Sequence, residues 1–99
     1  MVLIKISDTG CNVCKYFSQF DSYVANKYQI EFLDISLNNL PNFPEIYLFV
    51  LQNHVDSEGF LDVPLFLLEK DGKIIKHFVG KIETTEQQFQ EYIIDFPET

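Results

Sequence analysis

Tryptophan is missing from this 99-residue chain, methionine occurs once, and glycine and proline occur four times each. With no Gly- or Pro-rich tract there is no low-complexity segment, interdomain linker or internal repeat to explain. Basic residues are scarce as well. Seven Lys and Arg stand against 15 Asp and Glu, a formal net charge of −8, and a chain of that sign repels phosphates. DNA, RNA and anionic membrane surfaces are therefore not expected as partners. No apolar run approaches the ~18 residues of a membrane-spanning helix. Met1 to Gly10 contains one Lys and a short apolar run, without the cationic start and small-residue cleavage site of a secretory leader, so the expected location is the cytoplasm. Cysteine is nearly absent too, and the two that occur, Cys11 and Cys14, stand three positions apart.

What the chain does have is bulk for a core. Hydrophobic residues make up 46%, with ten Phe and five Tyr, in 11.6 kDa. The size sets the expectation of a single domain over residues 1–99, acting as a monomer.

A disulfide closing a loop of about four residues stabilises by roughly 2 kcal/mol, a weak clamp beside longer loops. A C-x-x-C pair in a reducing compartment is instead a redox pair, half of a metal site, or two buried thiols. A tetrahedral zinc site needs four ligands, and only His54 and His77 remain, far from the cysteines and 23 residues from each other. That is not a zinc-finger spacing, and the metal reading survives mainly as a cluster shared between two chains.

Val2–Ile6 is a near-continuous apolar run, the pattern of a central strand covered on both faces. After the turn cluster Ser7–Gly10, residues Val13, Phe17, Phe20 and Val24 fall on one stripe of a helix that the cysteines open. Gln29–Ile35 reads as a second strand, parallel to the first across a right-handed crossover. Asn38–Pro44 is turn-rich, Glu45–Asn53 is a helix, and Asp56–Asp62 is a polar loop. Leu65–Glu69 and Ile74–Val79 flank Lys70-Asp71-Gly72-Lys73, a hairpin with a type I′ turn. Thr84 or Thr85 caps a last helix in a capping box with a Gln three residues on; Phe89, Tyr92, Ile93 and Phe96 form its buried stripe and Pro97 ends it. The fold class is thus α/β, in the order β-α-β-α-β-β-α, a four-stranded mixed sheet flanked by helices.

Gly10-Cys11-Asn12-Val13-Cys14-Lys15 at a strand-to-helix junction, Val63-Pro64 before the hairpin and Val79-Gly80 after it together resemble the thioredoxin superfamily, over Val2 to about Phe96. The chain starts on the strand that delivers the cysteines, without the first strand and helix of full thioredoxins, and in that outline looks like a glutaredoxin. The resemblance implies a dithiol–disulfide oxidoreductase with no cofactor beyond a redox-active Cys11–Cys14 disulfide. It further implies disulfide-containing protein substrates and a reductase or glutathione as electron donor. Cys11, at the helix start, is the expected nucleophile, its thiol lowered from a reference of ~8.5 toward neutrality by unpaired N–H groups. Cys14 is the expected resolving thiol. The family's X-Pro bond is cis, which would set Pro64 against the cysteines and leave the Val63 backbone to pair with an extended substrate; Gly80 would permit close approach.

Departures from the family pattern bear on tuning. Gly10 stands where thioredoxins carry Trp, and Asn12-Val13 replaces Gly-Pro, so the reduction potential does not transfer. Lys5, six residues before Cys11, occupies the place of a buried acid. Either it lies under the site, with Asp34 or Glu31 as partner, or it snorkels from the sheet to solvent. Lys15 is a candidate for thiolate stabilisation. The glutathione-gripping segment of glutaredoxins is not spelled out in Val79–Glu83, which favours protein disulfides over glutathione mixed disulfides. The alternatives are glutaredoxin-type chemistry and a non-catalytic binding module whose acidic residues Asp56, Glu58 and Asp62 dock a basic partner.

Overall fold

The computed structural model describes residues 1–94. The expected roles of Phe96 and Pro97 fall outside that range. Strand β1 (Val2–Ser7) lies inside the sheet, as its apolar run requires, with order β2-β1-β3-β4. It pairs in parallel with β2 (Glu31–Ser36), Ile4 opposite Leu33, and antiparallel with β3 (Leu65–Lys70), Ile4 opposite Leu67. Strand β4 (Lys73–Val79) completes the hairpin with β3. Asp71 and Gly72 both take positive φ, +53° and +80°, as a type I′ turn demands.

The alternation of β1 and β3 side chains divides the core between two faces. Leu3, Phe66 and Leu68 point toward α1 (Asn12–Phe17), α2 (Asp21–Lys27) and α4 (Glu86–Ile94), where Phe17, Phe20, Val24, Phe89 and Ile93 bury against them. Ile4, Ile6, Leu65 and Leu67 point to the other face, covered by the 3₁₀ segment Leu37–Asn42 and by α3 (Pro44–Asn53) through Leu40 and Val50. Phe17 is the hub of the first face: its ring packs within 5.1–5.6 Å of those of Tyr16, Phe20, Phe66 and Phe89. Phenylalanine does here what the missing tryptophan does in other small cores.

The single helix expected after the cysteines is two. It breaks at Ser18–Phe20, where the Phe20 N–H donates to the Phe17 carbonyl at 3.0 Å and Phe20 takes φ −144°, before α2 restarts with Asp21 in its first turn. The apolar stripe survives the break because Phe17, Phe20 and Val24 stay on the core side. At α4 the capping box forms on Thr85: its hydroxyl accepts from the Gln88 N–H at 3.1 Å and its N–H donates to Gln88 Oε1 at 3.0 Å. The polar loop before β3 is internally bonded. Asp56 Oδ1 accepts from the N–H groups of Glu58 and Phe60, both at 2.9 Å, below an isolated Val55–Leu61 bridge.

Candidate active site

Strand β1 ends in a turn held by the Cys11 N–H donating to the Asp8 carbonyl at 3.3 Å, with Gly10 at φ +79°, a conformation that favours glycine. This turn sets Cys11 as the N-cap of α1. Its Sγ accepts from the Cys14 N–H at 3.0 Å, a bond that favours negative charge on that sulfur. Cys11 and Cys14 form a disulfide with Cα atoms 5.2 Å apart. Cys11 is half-buried and Cys14 buried, so Cys11 is the outward residue of the pair.

The Val63–Pro64 bond is cis, and the Val63 carbonyl oxygen lies 3.8 Å from Cys11 Sγ. Val63 and Pro64 are thus brought to the disulfide across 52 residues of sequence. Gly80 is brought there as well. Its N–H donates to the Pro64 carbonyl at 2.8 Å, and a Cβ added to it would lie 2.7 Å from Phe17 Cε2 and 2.8 Å from Pro64 Cγ. Neither ring has room to retreat, Phe17 being closed in by its aromatic neighbours. Gly80→Ala is expected to lower stability by about 1–3 kcal/mol, the ordinary cost of overpacking; a urea midpoint unchanged from wild type would refute that steric reading.

Lys5 lies under the site and not at the surface: it is 1% exposed, on the α1-side face of the innermost part of the sheet. Its three ammonium hydrogens are all used. Nζ donates to the Cys14 carbonyl at 3.0 Å, to Ser18 Oγ at 3.0 Å and to Asp21 Oδ2 at 2.6 Å. Ser18 Oγ in turn donates to the Cys14 carbonyl at 2.9 Å. The expected partners Asp34 and Glu31 are thus replaced by Asp21. Asp34 is opposite Lys5 in the parallel register but is exposed and accepts from Ser7 Oγ, while the helix break swings Asp21 inward to the ammonium. Burial pushes the Asp21 carboxyl up from its ordinary value, and the attraction of Lys5 only partly opposes this. No buried side-chain nitrogen or oxygen is without a partner among the described residues.

Ser18 and Asp21 were not singled out by motif reasoning, although a signal for them exists. Cys14, Ser18 and Asp21 fall at i, i+4 and i+7, a polar stripe beside the apolar one, leading from Cys14 to Lys5. Asn12 is exposed at the first helical position, Val13 packs half-buried against the Phe17 cluster, and Lys15 is exposed in the last turn of α1. His54 and His77, distant in sequence, meet elsewhere, at the C-terminal end of α3. No group of three or more His, Cys, Asp or Glu is arranged to hold a metal ion among the described residues. No helix there is long and apolar enough to cross a membrane.

A four-stranded mixed sheet, a C-x-x-C disulfide at the end of β1 and a cis-proline facing it define a thioredoxin-like fold carrying a dithiol site. Among solved structures, thioredoxin 1 from the thermophilic eubacterium Thermosipho africanus superposes with a TM-score of 0.64, at 19% identity, covering 91% of this chain and 89% of that one. No family model matches the sequence, and no curated protein does.

Proposed function

We propose that this chain is a dithiol–disulfide oxidoreductase that reduces protein disulfides, with Cys11 as nucleophile and Cys14 as resolving thiol. The observation that carries the reading is the outward Cys11 sulfur, bonded by the Cys14 N–H and facing the Val63 carbonyl. In the reduced chain, the Cys11 thiolate attacks one sulfur of a substrate disulfide. A Cys11–substrate bond forms, the substrate S–S bond breaks, and the departing thiolate takes up a proton. Cys14 then loses its proton and attacks Cys11 Sγ; the Cys11–Cys14 bond forms and the second substrate thiol leaves. Two electrons have passed to the substrate, and a reductase or two molecules of glutathione restore them.

Val63 offers its backbone to an extended substrate segment beside Pro64, a mode of binding that asks little of substrate side chains. Gly80 lets Pro64 approach, Lys5 fixes the backbone of Cys14, and Asn12, Val13 and Lys15 set the local surroundings of the two sulfurs. The cytoplasm, where thiols are kept reduced, suits such a cycle.

A trapping experiment tests the order of the two thiols. Cys14→Ser is expected to accumulate a covalent adduct with a disulfide substrate such as insulin, detected by mass spectrometry and released by dithiothreitol. An adduct formed by Cys11→Ser and not by Cys14→Ser would reverse the assignment.

A further inference from the structure

His54 and His77 are separated by 23 residues and have no part in the dithiol site, yet their rings meet edge to face with centroids 4.8 Å apart and His54 Nε2 2.7 Å from His77 Nδ1. Each ring is held by its surroundings. His54 ends α3, its N–H donating to the Val50 carbonyl at 2.8 Å, and His77 sits within edge strand β4 opposite Leu67. The Phe49 ring packs on both imidazoles, with centroids 5.1 Å from His77 and 6.3 Å from His54. Two nitrogens on fixed elements therefore converge at an exposed sheet edge that solutes can reach.

We propose that His54 Nε2 and His77 Nδ1 bind a divalent first-row transition-metal ion of tetragonal preference, Cu²⁺ more tightly than Ni²⁺ or Zn²⁺. The spacing carries the choice. With metal–imidazole bonds of about 2.0 Å, two cis ligands of a square-planar ion lie about 2.8 Å apart, whereas tetrahedral zinc needs about 3.3 Å. The observed 2.7 Å lies nearer the first, and the rings, which face one another with centroids 4.8 Å apart, turn to aim both nitrogens at the ion. Water completes the coordination, and the intrinsic affinity order of nitrogen sites likewise places Cu²⁺ first.

The proton balance permits it. Two neutral imidazoles facing at hydrogen-bond distance hold one hydrogen between them. Shifting that hydrogen to the far nitrogen of its own ring frees a lone pair on each facing nitrogen, with no net proton released, and a turn of the two rings aims both lone pairs at one ion. Neutral rings are the ligating form.

The experiment uses the oxidised full chain, so that neither cysteine is a ligand, with glycine present to take up adventitious copper. Cu²⁺, Ni²⁺ and Zn²⁺ are titrated separately by calorimetry, and the copper form is examined by electron paramagnetic resonance. One Cu²⁺ per chain with coupling to two nitrogens is expected. His54→Gln and His77→Gln are each expected to weaken binding by at least the about 10- to 100-fold that loss of a mere supporting contact costs. Circular dichroism checks that both variants fold, and Cys11→Ser/Cys14→Ser should bind copper like wild type. Undiminished affinity in either His variant, or Zn²⁺ bound more tightly than Cu²⁺, would overturn the assignment.

Discussion

Insulin-disulfide reduction driven by dithiothreitol is expected to fall to the uncatalysed rate in Cys11→Ser. A serine hydroxyl does not ionise near neutral pH, so the N-cap position keeps its N–H bond from residue 14 but presents no nucleophile. The loss should be complete within error, since the one cysteine that remains, Cys14, is buried. Cys14→Ser separates the competing chemistries. It should lose turnover on protein disulfides, where the adduct must be resolved internally. It should keep part of its activity on glutathione mixed disulfides, where a second glutathione can resolve Cys11. A chain that only binds partners would show neither effect, and insulin reduction persisting in Cys11→Ser would remove the enzymatic reading altogether.

The second large effect is on stability. Asp21→Leu is expected to cost about 3–5 kcal/mol, because it leaves the Lys5 ammonium buried and without its counter-charge. That is a large share of the about 5–15 kcal/mol that holds a domain folded. The double variant Lys5→Met/Asp21→Leu should recover most of the loss, since an apolar pair of similar volume needs no desolvated charge. Asp21→Asn should be milder than Asp21→Leu, because the amide oxygen still accepts from Nζ. Urea unfolding of the four proteins measures that recovery, and a double variant no more stable than Asp21→Leu would refute it.

The pH dependence follows from the same carboxyl. Its folded value lies above the ordinary 3.8, so the folded state binds the proton more tightly than the unfolded one. The stability this confers is fully present below 3.8 and is lost as pH rises through the folded value. Relative to Asp21→Asn, the wild type should therefore lose stability across that window.

Much of the fold was legible because it rests on local rules. The Asp71-Gly72 turn, the apolar run of β1 and the Thr85–Gln88 cap each act within a few residues, and each appears as expected. The cysteine pair and Val63–Pro64 were legible as a pattern, and the fold supplied their meeting. What periodicity could not show was where a polar residue interrupts a good apolar stripe. The Val13–Val24 stripe reads as one helix, yet the chain breaks at Ser18–Phe20, and Ser18 and Asp21 both bond to Lys5 Nζ. The partner of Lys5 was missed for the same reason. Strand register favours Asp34, but an exposed edge carboxylate cannot compete with one carried into the core by a helix. The His54–His77 contact depends on the length of the β3–β4 hairpin and on where α3 stops, neither of which leaves a mark on the two histidines themselves.

The Cys14 carbonyl accepts from the Ser18 N–H, from Ser18 Oγ and from Lys5 Nζ, three groups that owe nothing to the bond between the sulfurs. Opening and closing that bond can therefore be carried by side-chain rotation at residues 11 and 14, while the peptide frame stays put. The reduced chain is therefore expected to keep the same backbone, with little reorganisation of the helix or of the sheet beneath it.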